Sequence, residues 1–226
     1  MGVILPAKPL SRRGHATRAA LLRAALLVFA RDGFHAASTR SIAQHANANQ
    51  AMIGYHFRSK QGLYLAVFAD IVATISARLG PLISGIHAAL DAEEAVSDGR
   101  ARAFAHLLQL IDGMLVLMAQ EASTPWAQLI LREQQAPTAA FTVLYDGFMG
   151  QVAELLNRLV ARLGHGDDAT RSGLLVVTIL GQVQVFRAAR AGVLRQLGWA
   201  QIGPLEIAAI RAQLTSNLSA LLIDRK

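Results

Sequence analysis

The stretch TRSIAQHANANQAMIGYHFRSKQGL, residues 39–63, decides how this chain folds. It reads as two short helices meeting at a tight corner. Ser38 or Thr39 can cap the first helix, whose inner face is Ile42, Ala43 and Ala46. Ala43 is small, as the crossing point of two helices requires. Four residues on, the turn needs a left-handed backbone, and Asn47 tolerates it better than most residues other than glycine. Six further on, Ile53 supplies the apolar plug of the corner. Asn49 can cap the second helix, which reads as running from Gln50 to His56 and presents Gln50, Ala51, Met52, Gly54 and Tyr55 on its outer surface. A longer helix precedes the corner from Gly14 to Arg31: Leu21, Leu22, Ala25, Val28 and Phe29 share one helical face, and Asp32-Gly33 closes it, with Gly33 free to take a left-handed cap.

A helix-turn-helix of this kind lays its second helix in the major groove of double-stranded DNA. Gln50 can then read adenine, while Ala51 and Met52 meet thymine methyls. Thr39, Arg40, Tyr55, His56 and Lys60 are placed for phosphates, and the helix start at Thr39 offers free N–H groups to one. Ser38, Asn49 and Gly54, at the helix starts and on the outer face, complete the candidate DNA-binding set. The competing reading is a helical hairpin that packs internally and binds nothing.

Charge supports the first reading. Residues 1–64 hold nine Lys/Arg and one acid, Asp32, whereas residues 65–226 hold thirteen basic and fourteen acidic residues. All of the net charge of +7 therefore sits beside the corner, a distribution suited to a polyanion. The remainder is apolar and helix-biased: the chain is 53% hydrophobic and 6% aromatic, rich in Ala and Leu. With no cysteine, disulfides, thiolate metal sites and thiol catalysis are excluded, which fits a cytoplasmic setting.

No stretch reads as membrane-spanning. The longest uncharged apolar run, about Ser172 to Phe186, is shorter than the ~20 residues a bilayer needs and includes Gln182 and Gln184. At the N-terminus the basic residues follow the apolar ones, the wrong order for a signal peptide.

Organisation follows from the breakers. Residues 1–13 read as a flexible basic arm, 14–60 as a helix-turn-helix head and 61–226 as an all-helical body. Ser59 caps a helix expected to stop or kink at Gly80-Pro81. Further helical segments read at about 82–91, 100–121, 125–134, 138–163, 168–197 and 204–222, and Asp91, Glu93, Glu94 and Asp98 read as a solvated loop. The fold class is all-α.

Tyr55-His56-Phe57-x-Ser59-Lys60-x-x-Leu63, with Phe29-Ala30-Arg31-Asp32-Gly33-Phe34 upstream, resembles the N-terminal signature of TetR-type transcriptional regulators over residues 15–70. Asn47 stands where that family usually has a turn glycine, Gly54 occupies a position often aromatic, and Gly62 replaces an acidic residue, so the capping box after Ser59 is incomplete. Leu131-Arg132-Glu133-Gln134-x-x-Pro137-Thr138-x-Ala140-Phe141 and Gly181-Gln182-Val183-x-Val185-Phe186-Arg187-x-Ala189-Arg190 resemble, less specifically, the C-terminal domain of the CecR-like subgroup. The resemblance implies a homodimeric repressor of a palindromic operator, with a small-molecule site in the body and pairing through its last helices.

Within the body, Met114, Leu117, Met118, Trp126, Leu129, Phe148, Val152 and Phe186 are candidate walls for a small apolar or amphipathic effector, with Arg132, Gln182 and Arg187 as polar anchors. Ordinary core packing is the competing reading for each. Segments 138–163 and 168–197 are assigned to the subunit seam, where Gly173, Gly181, Ala188 and Gly192 permit close approach. No catalytic residue, cofactor or metal site is expected: the seven histidines lack ligand spacing. Two other readings stay open, a DNA-binding architectural protein without sequence preference and an all-α enzyme.

Overall fold

The computed structural model describes residues 12–92, 99–119 and 123–223, and every element among them is helical. Eleven α-helices follow in order: α1 (Arg12–Ala36), α2 (Thr39–His45), α3 (Ala51–Phe57), α4 (Lys60–Ala92), α5 (Gly99–Ala119), α6 (Thr124–Gln135), α7 (Ala139–Leu144), α8 (Gly150–Val160), α9 (Ala169–Ala188), α10 (Arg190–Leu197) and α11 (Pro204–Leu222). π-helical turns at Tyr145–Met149 and Ala161–His165 join α7 to α8 and close α8. The proposed arm, apart from Arg12 and Arg13, and most of the acidic loop lie outside the described residues.

The head is a small apolar wedge. Leu21, Ala25, Val28 and Phe29 of α1 are buried against Ile42 and Ala43 of α2 and Ile53 and Phe57 of α3. Leu63, Tyr64, Val67 and Phe68 of α4 complete the same core. A boundary at residue 60 therefore cuts through shared packing, because α4 belongs to head and body alike. Gly33 takes φ 76 and ψ 171, so the chain turns there before one last turn of α1; the positive φ is as expected, but ψ lies far from that of a left-handed helical cap.

Two boundaries differ from the sequence reading. α4 does not stop at Gly80-Pro81 but runs through to Ala92. Pro81 and Ala77, whose carbonyl loses its partner, are both exposed, so water can take up the lost hydrogen bond. The segment 168–197 is in turn broken at Ala189 (φ −107, ψ 27) into α9 and α10.

The membrane expectation also needs correction: α4, α5 and α9 are each long and apolar enough to span a bilayer by length and composition. Counting uncharged runs missed them, because each apolar window tolerates one or two charges. Their apolar rows instead pack together: Ile71, Ile75, Leu79 and Ile83 of α4, Leu107, Leu110 and Met114 of α5, and Val176, Ile179 and Val183 of α9 are all buried within the body.

Candidate nucleic-acid interface and effector cavity

The corner is built as its residue types require. Asn47 adopts φ 48, and the amide of Ala48 donates to the Ala43 carbonyl at 3.0 Å. Ser38 Oγ accepts from the Ser41 amide at 3.0 Å, capping α2. Asn49 Oδ1 accepts from the Ala51 amide at 2.8 Å at the start of α3. Gln50 Nε2 donates to Thr39 Oγ1 at 2.9 Å, which ties the two helix starts together.

The candidate DNA-binding residues divide into two groups. Ser38, Arg40, Asn49, Gln50, Ala51, Gly54 and Tyr55 are exposed. Tyr55 is 70% exposed, which leaves an aromatic ring uncovered for a partner. Thr39, Met52, His56 and Lys60 are half-buried. Met52 packs on the head core. Lys60 Nζ donates to the His35 carbonyl at 3.1 Å and sits 4.7 Å from the centre of the Phe34 ring, so its ammonium clamps α4 to the end of α1. His56 turns inward, and its Nε2 is shut from solvent with no partner. Burial, and then the charges of Arg18 and His15, hold its pKa below the usual histidine value.

Sequence reasoning passed over three exposed neighbours, Gln44, His45 and Arg58. Arg58 has φ 68, a left-handed corner between α3 and α4. Its signal was its place between Phe57 and Ser59 in the quoted motif. Gly62 has a reason of its own: a Cβ there would drive into the Phe57 carbonyl oxygen. The missing acidic side chain of the capping box is thus set against a close backbone approach that only glycine permits.

The body holds a cavity of about 340 Å³ between α4, α5, α6, the α7–α8 path and α9. Seven of the eleven candidate effector residues line it: Met114, Leu117, Met118, Trp126, Phe148, Val152 and Arg187. Ile75, Leu79, Ile130, Leu144 and Leu180 add apolar wall, and Gln128, Gln134, Gln184 and Arg190 add polar groups. Four candidates lie elsewhere. Leu129 is fully buried in the core, and Phe186 packs against that core outside the cavity. Gln182 Oε1 accepts from Asn217 Nδ2 of α11 at 3.1 Å. Arg132 Nη2 donates to the Ala30 carbonyl of α1 at 3.3 Å. For Leu129 and Arg132 the cause lies on α6, where residues that face the cavity and residues that face α1 alternate and the sequence does not say which side is which; Gln182 and Phe186 lie on α9.

That alternation makes α6 a bridge between cavity and head. Beside Arg132, Glu133 is 2% exposed. Its Oε1 accepts from the Tyr64 hydroxyl at 2.8 Å and its Oε2 from the Thr138 amide at 2.9 Å. Burial first, and the Glu133 contact second, push the Tyr64 phenol well above its ordinary pKa, so it stays a donor. A Cβ on Gly33 would lie 2.7 Å from Arg132 Nη1, which shows how closely α6 and the bend of α1 approach.

On the expected seam segment 138–163, Tyr145 is exposed while the apolar face of α8 is turned inward. α8 spends Val152, Leu155, Leu156, Leu159 and Val160 on the core and turns Gln151, Glu154 and Asn157 outward. An uncovered apolar stripe lies on α9, within the other expected seam segment 168–197, where Leu174 and Val177 are 64% and 67% exposed and Gly181 and Val185 continue the row. The Asn217–Gln182 hydrogen bond sets α11 beside it, and α11 exposes Ala208, Ala212, Ser216 and Ala220.

Comparison with known proteins follows the same division. Residues 21–67 match the tetR family of bacterial regulatory proteins. Residues 103–223 match the C-terminal domain of the HTH-type transcriptional dual regulator CecR. Over 214 residues, 93% of each chain, the sequence is 29% identical to the HTH-type transcriptional dual regulator CecR of Shigella flexneri. Among solved structures, AibR in complex with isovaleryl coenzyme A and operator DNA is similar at TM-score 0.64 and 12% identity, covering 89% of this chain and 97% of that one. The transcriptional regulator FadR of Bacillus subtilis, in complex with stearoyl-CoA, is similar at TM-score 0.58 and 15% identity, covering 92% and 99%.

Proposed function

This chain belongs to the TetR family of DNA-binding transcriptional regulators, with the CecR-type C-terminal domain, and from that premise we propose that it is a homodimeric repressor whose operator affinity is lowered by a small amphipathic effector. Each head would lay α3 in the major groove of one half-site, with Gln50, Ala51, Gly54 and Tyr55 over the base edges and Arg40 and Arg58 on phosphates. The body would pair through the stripe of α9 and the small-residue face of α11. Heads docked in successive major grooves stand about 34–36 Å apart. An effector that favours another spacing costs the dimer its second head and most of its affinity. The protein would act in the cytoplasm, where its DNA lies.

One observation carries this reading. The helix that walls the cavity, α6, also holds the head through Arg132 and Ala30 and through Glu133 and Tyr64. Occupancy of the cavity therefore has a direct mechanical route to α1. An enzyme would need groups able to move a proton, and the described lining of the cavity has neither a carboxylate nor a histidine.

The seam is tested by Val177→Arg in sedimentation velocity. A charge buried in the pairing face without a partner is strongly unfavourable, so the variant should sediment as a monomer that keeps its helical circular-dichroism spectrum. A stable dimer in the variant would remove α9 from the seam.

A further inference from the structure

The cavity lining includes two cationic side chains. Arg187 and Arg190 line it together, across the break at Ala189 between α9 and α10. Nη2 of Arg187 and Nη1 of Arg190 are both closed off from solvent, and neither meets a hydrogen-bond acceptor. Burial lowers the pKa of Arg187, and the neighbouring charge of Arg190 lowers it further. Two like charges thus share an apolar wall, and no Asp or Glu is among the described lining residues.

Such an arrangement is costly in isolation. A buried guanidinium N–H without an acceptor forfeits its hydration and gains nothing in return. Native proteins leave few such groups, and those they leave often mark a functional site. An anionic oxygen group would accept from both guanidinium planes and cancel their repulsion, because the fork of N–H donors matches a carboxylate or phosphate. Most of the remaining lining is apolar, with Met114, Trp126, Phe148, Val152 and Leu180 suited to a hydrocarbon, and its other polar groups, Thr124, Gln128, Gln134 and Gln184, are uncharged. Its volume of about 340 Å³ is near the lower end of ordinary ligand pockets, roughly 300–1,000 Å³. That suits one medium-length acyl chain.

We propose that Arg187 and Arg190 form the anion-binding pole of the cavity, and that the effector is an acyl chain ending in an anionic oxygen group. This rests on the reading of the cavity as the effector site. The anion can be the carboxylate of a free fatty acid or a phosphate of an acyl conjugate that reaches the two guanidinium groups.

The test uses the full-length protein carrying Trp199→Phe, which leaves Trp126 in the cavity wall as the fluorophore. Decanoate, decanoyl-coenzyme A and the neutral decanol are titrated against it. Decanoate or its conjugate should bind at least about 10-fold more tightly than decanol, the scale of one charge-assisted contact. Preference for decanoate alone assigns the carboxylate, and preference for the conjugate alone assigns the phosphate. Arg187→Met and Arg190→Met should each remove that preference while leaving decanol binding within about twofold, since the wall is untouched. Thermal melts guard against misfolding: the variants should melt no lower than the parent without ligand, and the preferred anion should raise the melting temperature of the parent alone. Equal binding of decanol and both anions, or variants that keep the preference, would overturn the proposal and leave the cavity reading standing. If none of the three probes, decanol included, changed Trp126 emission or the melting temperature, the cavity reading itself would fall, and the proposal with it.

Discussion

At the residue scale, the head shows which side chains serve the fold and which are spare. Gly54 is the clearest spare position: it is exposed, and a Cβ there would meet nothing within 4 Å. Helix propensity alone makes Gly54→Ala stabilising by about 1 kcal/mol. If α3 lies against DNA at this point, the same methyl group should weaken operator binding. The expected pairing is a higher melting temperature with lower affinity in fluorescence anisotropy; unchanged affinity would place Gly54 away from the DNA. His56 gives a pH dependence. Its folded pKa is depressed, so between that value and the ordinary ~6.5 the unfolded chain binds more protons, and stability falls as pH drops through this window. Melting from pH 7.5 down to 5.5 should therefore lower the transition temperature more for the parent than for His56→Gln, and equal losses would contradict the burial of His56. Much of this detail could be read from the residues alone, as with Asn47 in its left-handed turn and the caps at Ser38 and Asn49. The roles of Lys60 and Met52 could not, because a half-buried side chain of either type fits a phosphate or methyl contact as well as an internal clamp.

At the element scale, α6 is the part whose meaning emerged only in three dimensions. Its sequence marks a helical segment at about 125–134, but periodicity does not say which neighbour lies on each side. Arg132 consequently reads as an effector anchor in the sequence and as a tie to the Ala30 carbonyl in the fold. Tyr64 shows what such a tie is worth. In Tyr64→Phe the ring still packs in the head core, but buried Glu133 loses a donor. That should cost about 1–3 kcal/mol in chemical denaturation, with the larger effect on the response of DNA affinity to effector. A variant as stable as the parent would show that Glu133 is fully satisfied by Thr138. The proposed pairing seam is a related case. Both 138–163 and α9 look apolar in sequence, and only packing reveals that α8 spends its apolar face internally while α9 keeps Leu174 and Val177 outside.

At the scale of the whole molecule, the sequence carried the architecture well. A cationic head joined to a near-neutral helical body is visible in the charge distribution, and it is the organisation seen here. What composition cannot supply is the span between two heads, which depends on a pairing that a single chain does not contain. That span is the core of the account, and a stoichiometric titration measures it most directly. Purified protein is added to a labelled palindromic duplex from the region upstream of its own gene, at near-physiological salt and with random competitor DNA. The account predicts saturation at two subunits per duplex, with affinity that falls steeply when the half-sites are moved apart by half a helical turn. Binding as single subunits, or equal affinity for the palindrome, the re-spaced site and random DNA, would contradict it.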